Sequence, residues 1–457
     1  MSADLDFLVI GAGGCGLAAA IAAHDAGASV AILEKMDRPG GNSALSTGSV
    51  PAAASRFQRE AGIADSPERF LSDLNAIAGE TDTPDLVRRM VETSADLVEW
   101  LVDDVGARLV FISAYRHIGH SVPRLHAPAS RRGQDLVDDL LAAIDRRGIP
   151  LAVGNRVTGL IVEEGGVAGA IVDSGSGPEP VRARKTLLAV NGFAGDRALV
   201  ERFCPEIAGA QYFGALGSTG EAIGWGERLG AAFGNMAAYQ GYAAVADPHG
   251  SLLSWTTIEK GGILLNEAGR RFGNEMTGYS GYARIVLAQG GKCYALFDQR
   301  IFEIASAEDE FVELWRHGGL KTAGTAREAL SSFGLDAAAV EDTVAAYQAA
   351  AAGNEPDAFG RREFGVAPLT GPFYACRVVP GLFHTQGGLQ VDGDGRVLRQ
   401  GGGTVPNLFA GGGAAAGLSG RAGALGYASG NGLLSAIGLG RLAGLAAAAE
   451  CRAAEAA

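Results

Sequence analysis

The first 34 residues constrain this chain more than any other stretch. Asp6-Phe-Leu-Val-Ile10 reads as a buried parallel strand, Gly11-Ala-Gly13-Gly-Cys-Gly16 follows it, and small residues from Leu17 to about Ala26 read as a helix. Ser29-Val-Ala-Ile-Leu33 is then a second strand, ending on Glu34. Strand, G-x-G-x-x-G turn, helix, strand and terminal acid together make a dinucleotide-binding βαβ unit. The first glycine permits the tight turn, the second lets the backbone approach a pyrophosphate, and the third lets helix and strand pack closely. The helix N-terminus holds the phosphates with its free N–H groups. Glu34, 18 residues beyond Gly16, is placed to accept hydrogen bonds from ribose hydroxyls.

Beyond this unit, helical periodicity dominates from about 66 to 104 and again from Gly133 to Arg146. β-rich stretches follow at Arg156–Glu163, Val167–Val172 and Lys185–Val190. A block of mixed pattern from 237 to 385 separates a first part, 1–236, from a glycine-rich last part, 386–457, which holds a strand at Asn407–Ala410 and a long final helix. The middle block is expected to be an inserted domain.

With 47% apolar residues a large core is assured, and the net charge of −13 argues against nucleic acid or an anionic membrane as partner. The five cysteines form no CxxC pair, which disfavours zinc, a disulfide framework or attached haem, and no metal is expected. The acidic start does not resemble a secretory signal. No run of 18 apolar residues occurs, and Arg441 and Glu450 interrupt the alanine-rich end. A cytoplasmic protein without membrane attachment is expected.

Glycine is in excess, 69 residues of 457, and it clusters. One patch is Pro39-Gly-Gly41-Asn42-Ser43-Ala-Leu-Ser46-Thr-Gly-Ser49; others are Gly411-Gly412-Gly413 and Gly426-Tyr427-Ala-Ser429-Gly430-Asn431-Gly432. Together with His384-Thr-Gln-Gly387-Gly388 and Leu408-Phe-Ala, these motifs, in this order, resemble the fumarate reductase/succinate dehydrogenase flavoprotein family over essentially the whole chain. The resemblance implies an α/β fold: a Rossmann-type, glutathione-reductase-like FAD-binding domain carrying an inserted α+β capping domain over the substrate. It implies that Gly11, Gly13, Gly16, Glu34 and Lys35 hold the ADP half of FAD. Gly41, Asn42, Ser43 and Ser46 would follow the pyrophosphate and flavin edge. Val157 would lie on the adenine side, with Gly192 and Thr219 nearby. Gly388, Gly412, Gly430, Asn431, Leu433 and Leu434 would surround the flavin, with the final helix aiming its positive end at the ring. Relatives with covalent flavin carry a histidine in the early glycine patch; none stands between His24 and His117, so non-covalent FAD is expected. The family's Ala-Gly-Glu is Gly411-Gly412-Gly413 here, which removes one ribityl contact.

Aligned on neighbouring motifs, three positions that are charged in dicarboxylate-reducing relatives are Tyr242, Tyr279 and Tyr427; the relay positions are Trp255 and Ile258. Only His384 survives. A doubly charged substrate would leave its buried charges unpaired, so a less polar molecule with one carbonyl is expected. The pattern is similar to 3-ketosteroid 1-dehydrogenases, although the turn at Tyr427 also resembles that of tricarballylate dehydrogenase. By that resemblance Tyr427 and a backbone N–H near Gly430 polarise the carbonyl, Tyr279 moves the α-proton, and hydride passes between the β-carbon and flavin N5. Two alternatives stand: a reductase of an unsaturated carboxylic acid, with Arg116 or Arg124 joining His384 as carboxylate partners, and a flavoprotein electron-transfer subunit. The electron donor or acceptor is unknown. The segment from Tyr115 through His117 and His120 to His126 is expected to adjoin the site, and the acidic run at 308–310 to be a solvated face.

Overall fold

The computed structural model describes residues 5–455, which divide into two compact units. Among the described residues the first comprises those up to 204, 214–239 and those from 384 onward, and the second 205–213 and 240–383.

The first unit is built on a sheet whose central strands run parallel. In spatial order these are Thr404–Ala410, Pro178–Leu188, Leu5–Ile10, Val30–Leu33 and Leu151–Ala152, with Arg396–Leu398 antiparallel at one edge. The inner strand Leu5–Ile10 is flanked by Val30–Leu33 on one side and by Pro178–Leu188 on the other. Its carboxyl end is therefore the switch point at which open α/β sheets bind ligands. Strand Pro178–Leu188 serves two sheets: its second half pairs with Leu5–Ile10, while its first half extends the antiparallel hairpin Arg156–Glu163/Gly166–Asp173.

Two helices pack face to face beneath the glycine turn. Helix Gly14–Asp25 begins three residues earlier than the sequence pattern suggests, and its residues from Gly14 to Ala23 are all buried. It lies against the final helix, Asn431–Glu455, at contacts only glycine allows: a Cβ on Gly440 would stand 2.3 Å from the Cys15 carbonyl oxygen, and one on Gly444 would stand 2.2 Å from that of Ala19. By length and composition this final helix could cross a membrane, but 78% of its most apolar stretch is buried within the fold, as in a core helix.

The second unit is a separate α+β body. Strands Ile263–Leu265, Cys293–Asp298, Lys321–Ala323 and most of Phe373–Thr385 pair antiparallel, and Gln211–Tyr212 joins parallel to Gly381–Leu382. Helices Gln299–Ala305, Asp309–Arg316 and Ala337–Ala351 bury their apolar faces in its own core. Its bounds fall at 240 and 383 rather than 237 and 385. It also takes in residues 205–213, which the sequence pattern leaves in the first part.

Candidate active site

The glycine turn shows two different reasons for being glycine. A Cβ on Gly11, where φ is +107°, would lie 2.3 Å from the Ala189 carbonyl oxygen, and one on Gly16 would lie 1.9 Å from that of Gly11. Those two are required by the protein's own backbone. Gly13 is not: its φ of −81° suits any residue, and a Cβ there would meet nothing nearer than the Gly40 oxygen at 3.6 Å. The space above Gly13 is left open by the fold, as a cradle for a phosphate requires.

Other elements converge on that cradle. Gly13 and Gly40 form a parallel bridge, and Gly40 N donates to the Ala12 oxygen at 2.9 Å, which brings the second glycine patch against the first. Ser43 Oγ accepts from Gly14 N at 3.1 Å, and Ser46 Oγ donates to the Ser43 oxygen at 2.7 Å; Gly41, at φ +52°, is exposed. Asn42 Oδ1 accepts from Ala215 N at 2.7 Å, but its buried Nδ2 has no protein partner. Glu34 accepts from Ala12 N and Met36 N, each at 2.8 Å, which fixes the carboxylate at the strand end. Asn155 N and Gly154 N bond to the backbone oxygens of Glu34 and Met36, and so bring the strand carrying buried Val157 to the same end. Lys35 is less available: its ammonium lies 2.5 Å from Glu221 and 2.7 Å from the Thr219 hydroxyl.

At the opposite side of the cradle, Gly192 and Gly388 sit where side chains would strike Thr385 Oγ1 at 2.4 Å and the Ala414 oxygen at 2.6 Å. Gly412, at φ +58°, packs over Cys15. The turn at Gly430, also left-handed, leads into the final helix, but the N–H groups of Leu433 and Leu434 are both given to the Gly430 oxygen. Those two leucines are buried core residues, and their amides are already engaged. Asn431 is the group left over. It is 2% exposed, and neither its amide oxygen nor its amide nitrogen has a partner. A buried amide with nothing to bond costs about 1–3 kcal/mol, so Asn431 and Asn42 point to a polar ligand between them and the glycine turn. FAD fits that description. Asn191 escapes the sequence reading; at φ +65° it holds Gly192 N and Ser218 Oγ, and no local pattern signals this.

His384 ends the strand Phe373–Thr385 where the chain re-enters the first unit. Its Nδ1 is 3.3 Å from the Thr385 carbonyl oxygen, which only accepts, so Nδ1 carries the proton. Burial lowers its pKa below the ordinary histidine range, so the ring is neutral at pH 7. Gly432 keeps the first turn of the final helix open toward it: a Cβ there would lie 3.9 Å from His384 Nε2. Tyr427, half-buried, stands in the adjoining turn.

Of the two expected arginine partners, the structure corrects Arg124. Arg124 is fully buried and paired with Asp65 at 2.6 Å and Asp73 at 2.5 Å, so it is a structural ion cluster with no capacity for a substrate carboxylate. Arg116 is exposed. His120 donates through Nε2 to the Ser429 oxygen at 2.9 Å, which ties its loop to the turn of Tyr427. His126 meets Ser55 Oγ at 3.1 Å. Burial, the largest cause, pushes both rings down to about 4. The unfolded chain therefore binds more protons than the folded one between about pH 6.5 and 4, and stability present above 6.5 is lost as pH falls. The urea midpoint is expected to drop from pH 7 to pH 5, as the unfolding free energy falls by up to about 1.4 kcal/mol per pH unit for each ring. A midpoint constant over that range would show the rings are not held neutral.

In the second unit, Tyr242, Tyr279, Trp255 and Phe383 form one aromatic group. The Tyr242 ring centroid lies 5.0 Å from Tyr279 and 5.7 Å from Phe383, and Trp255 meets both tyrosines at 6.4 Å. The Tyr242 hydroxyl is already engaged, donating to the Leu253 oxygen at 2.9 Å. Burial first, and then the negative charges of Glu308 and Glu310, hold its phenol well above the usual tyrosine range, so it keeps its proton at neutral pH. Tyr242→Phe is expected to cost about 1 kcal/mol of stability, the worth of one hydrogen bond, and to leave turnover within a few-fold; a hundredfold slower enzyme would contradict this. The acidic run is exposed but not idle: Glu308 accepts from Ser254 and Thr256, and Glu310 from Leu252 N. In the same unit the buried side chains of Arg271 and Arg361 are committed to Glu275, and Arg271 also to Asp357.

A family model described as an FAD binding domain matches residues 6–432. NADH:fumarate oxidoreductase of Klebsiella pneumoniae is 34% identical over 98% of this chain, which spans only 48% of that relative. The open conformation of a flavocytochrome c3 fumarate reductase superposes with a TM-score of 0.85 at 28% identity, covering 98% of this chain and 79% of that one. 3-Ketosteroid-Δ4-(5α)-dehydrogenase of Rhodococcus jostii RHA1 superposes at 0.78 with 27% identity and covers 98% of both chains.

Proposed function

The chain belongs to the FAD binding domain family and is an FAD-dependent oxidoreductase acting on carbon–carbon bonds, and from that premise we propose that it interconverts a carbonyl compound and its α,β-unsaturated form. The observation carrying this reading is the aromatic group Tyr242–Tyr279–Trp255–Phe383, in a unit whose buried arginines Arg271 and Arg361 are already paired. Such surroundings favour an apolar ring over a second carboxylate.

Bound FAD supplies a hydride donor or acceptor. The protein's own groups do the rest. Gly11 shapes the turn, and Gly13, Asn42 and Asn431 would hold and orient the cofactor. The Tyr427 hydroxyl donates to the substrate carbonyl and stabilises the charge that develops there. Tyr279 gives the α-carbon its proton in the reductive direction. That direction asks only for the proton a phenol keeps at neutral pH, whereas the oxidative direction asks for a phenolate with an ordinary pKa near ~10. Neutral His384 orders the carbonyl end without adding charge.

The names of the fumarate-reducing relatives favour a second reading, reduction of an unsaturated acid. An anaerobic titration separates the two. Bleaching of the oxidised flavin by saturated cyclic ketones supports the first reading. Failure of every ketone, together with reoxidation of reduced flavin by fumarate, would establish the second.

A further inference from the structure

His117 and Arg131 are among the first-unit side chains left with unsatisfied buried polar atoms away from Asn42 and Asn431. Both ring nitrogens of His117 are hidden from solvent and bonded to nothing, and so is Nε of Arg131. No carboxylate among the described residues pairs with the Arg131 guanidinium. Folded proteins rarely leave such groups unpaired without a ligand or ordered solvent to meet them.

Both residues are held by segments fastened to the cofactor cradle. The His117 ring lies 4.4 Å from that of Tyr115. The next residues are tied to the turn of Tyr427: Ser429 N donates to the Ile118 oxygen at 3.0 Å, and a Cβ on Gly119 would come within 2.5 Å of Ala428 Cβ. Arg131 is a non-glycine residue at φ +58°, a conformation that persists only where its surroundings impose it. Two residues on, Gly133 N donates to the Ser46 oxygen at 2.7 Å, and Gly133 lacks a Cβ that would stand 2.1 Å from the Ser43 oxygen. The residues just after His117 are thus fastened to the Tyr427 turn, and Gly133, two residues beyond Arg131, to the segment of helix Gly41–Leu45 and Ser46.

We propose that His117 and Arg131 form a subsite for one substrate carboxylate, distinct from the carbonyl addressed by Tyr427. The proposal rests on the reading above and narrows it: the substrate carries a single carboxylate remote from the reacting bond. Burial first, and then the Arg131 charge, lower the His117 ring to about 4, so at pH 7 it offers one N–H. Arg131 offers the charge and a second donor, and an anion is the partner that satisfies both.

Binding, rather than turnover, tests this. The oxidised holoenzyme is titrated with 4-oxocyclohexanecarboxylate and with uncharged cyclohexanone, read by perturbation of the flavin spectrum. Arg131→Gln and His117→Ala are each expected to weaken the carboxylate by roughly 10-fold to 100-fold, the usual worth of a charge-assisted hydrogen bond. Cyclohexanone affinity and flavin content should stay within twofold. Equal weakening of both probes, loss of flavin, no change, or a wild type that prefers cyclohexanone would each overturn the subsite. A selective loss without ketone turnover would leave the subsite standing and remove only the reading on which it was built.

Discussion

Gly13→Val is expected to yield a folded but colourless protein. The backbone at Gly13 already has angles that valine adopts, and the nearest protein atom to a Cβ there is 3.6 Å away, so folding loses little. What the side chain fills is the space left for the pyrophosphate. Its branches would displace the phosphate from the N–H groups that open helix Gly14–Asp25, a loss of about 3 kcal/mol or more and at least two orders of magnitude in FAD affinity. Gly11→Val and Gly16→Val differ in kind. Each drives a side chain into backbone oxygen, at 2.3 Å and 1.9 Å, so both should lower stability as well as flavin content. Far-UV circular dichroism with the flavin-to-protein ratio distinguishes the classes. A yellow Gly13→Val protein with normal FAD affinity would show that the cradle is misassigned.

Tyr279→Phe and Tyr427→Phe are expected to slow flavin reduction or reoxidation by substrate about 10²–10⁴-fold for the proton-moving group and about 10²–10³-fold for the carbonyl donor. Neither change removes ring packing: Tyr279 keeps its contacts with Tyr242 and Trp255 as phenylalanine. Stability should therefore stay near wild type. Rapid-mixing measurement of the flavin step isolates the chemistry from product release. Near-wild-type rates in Tyr279→Phe would remove it from the reaction, and Tyr242→Phe, whose hydroxyl is spent on Leu253, is the matched control.

The cofactor half of this site was legible in the sequence because its signals are local. Strand, glycine turn, helix and acid fall within 34 residues, and helix Gly133–Arg146 and strand Arg156–Glu163 match their periodicities. Contacts between distant residues were not legible. Residues 205–213 join the second unit through pairing of Gln211–Tyr212 with Gly381–Leu382, which no nearby pattern announces. Arg124 looks like a free cation until Asp65 and Asp73 are folded onto it. Leu433 and Leu434 match a family motif, yet their amides belong to their own helix. The unsatisfied nitrogens of His117 and Arg131 emerge only when burial is known atom by atom.

The proposed function sets a preference for a substrate with one carbonyl over a dicarboxylate. Its most direct test mixes the chemically reduced holoenzyme, without oxygen, with equal concentrations of cyclohex-2-enone or fumarate and follows recovery of the flavin absorbance. Reoxidation by the enone is expected to be at least about 100-fold faster, since fumarate would leave a buried carboxylate unpaired. Reoxidation by fumarate as fast as by the enone, or faster, would contradict it.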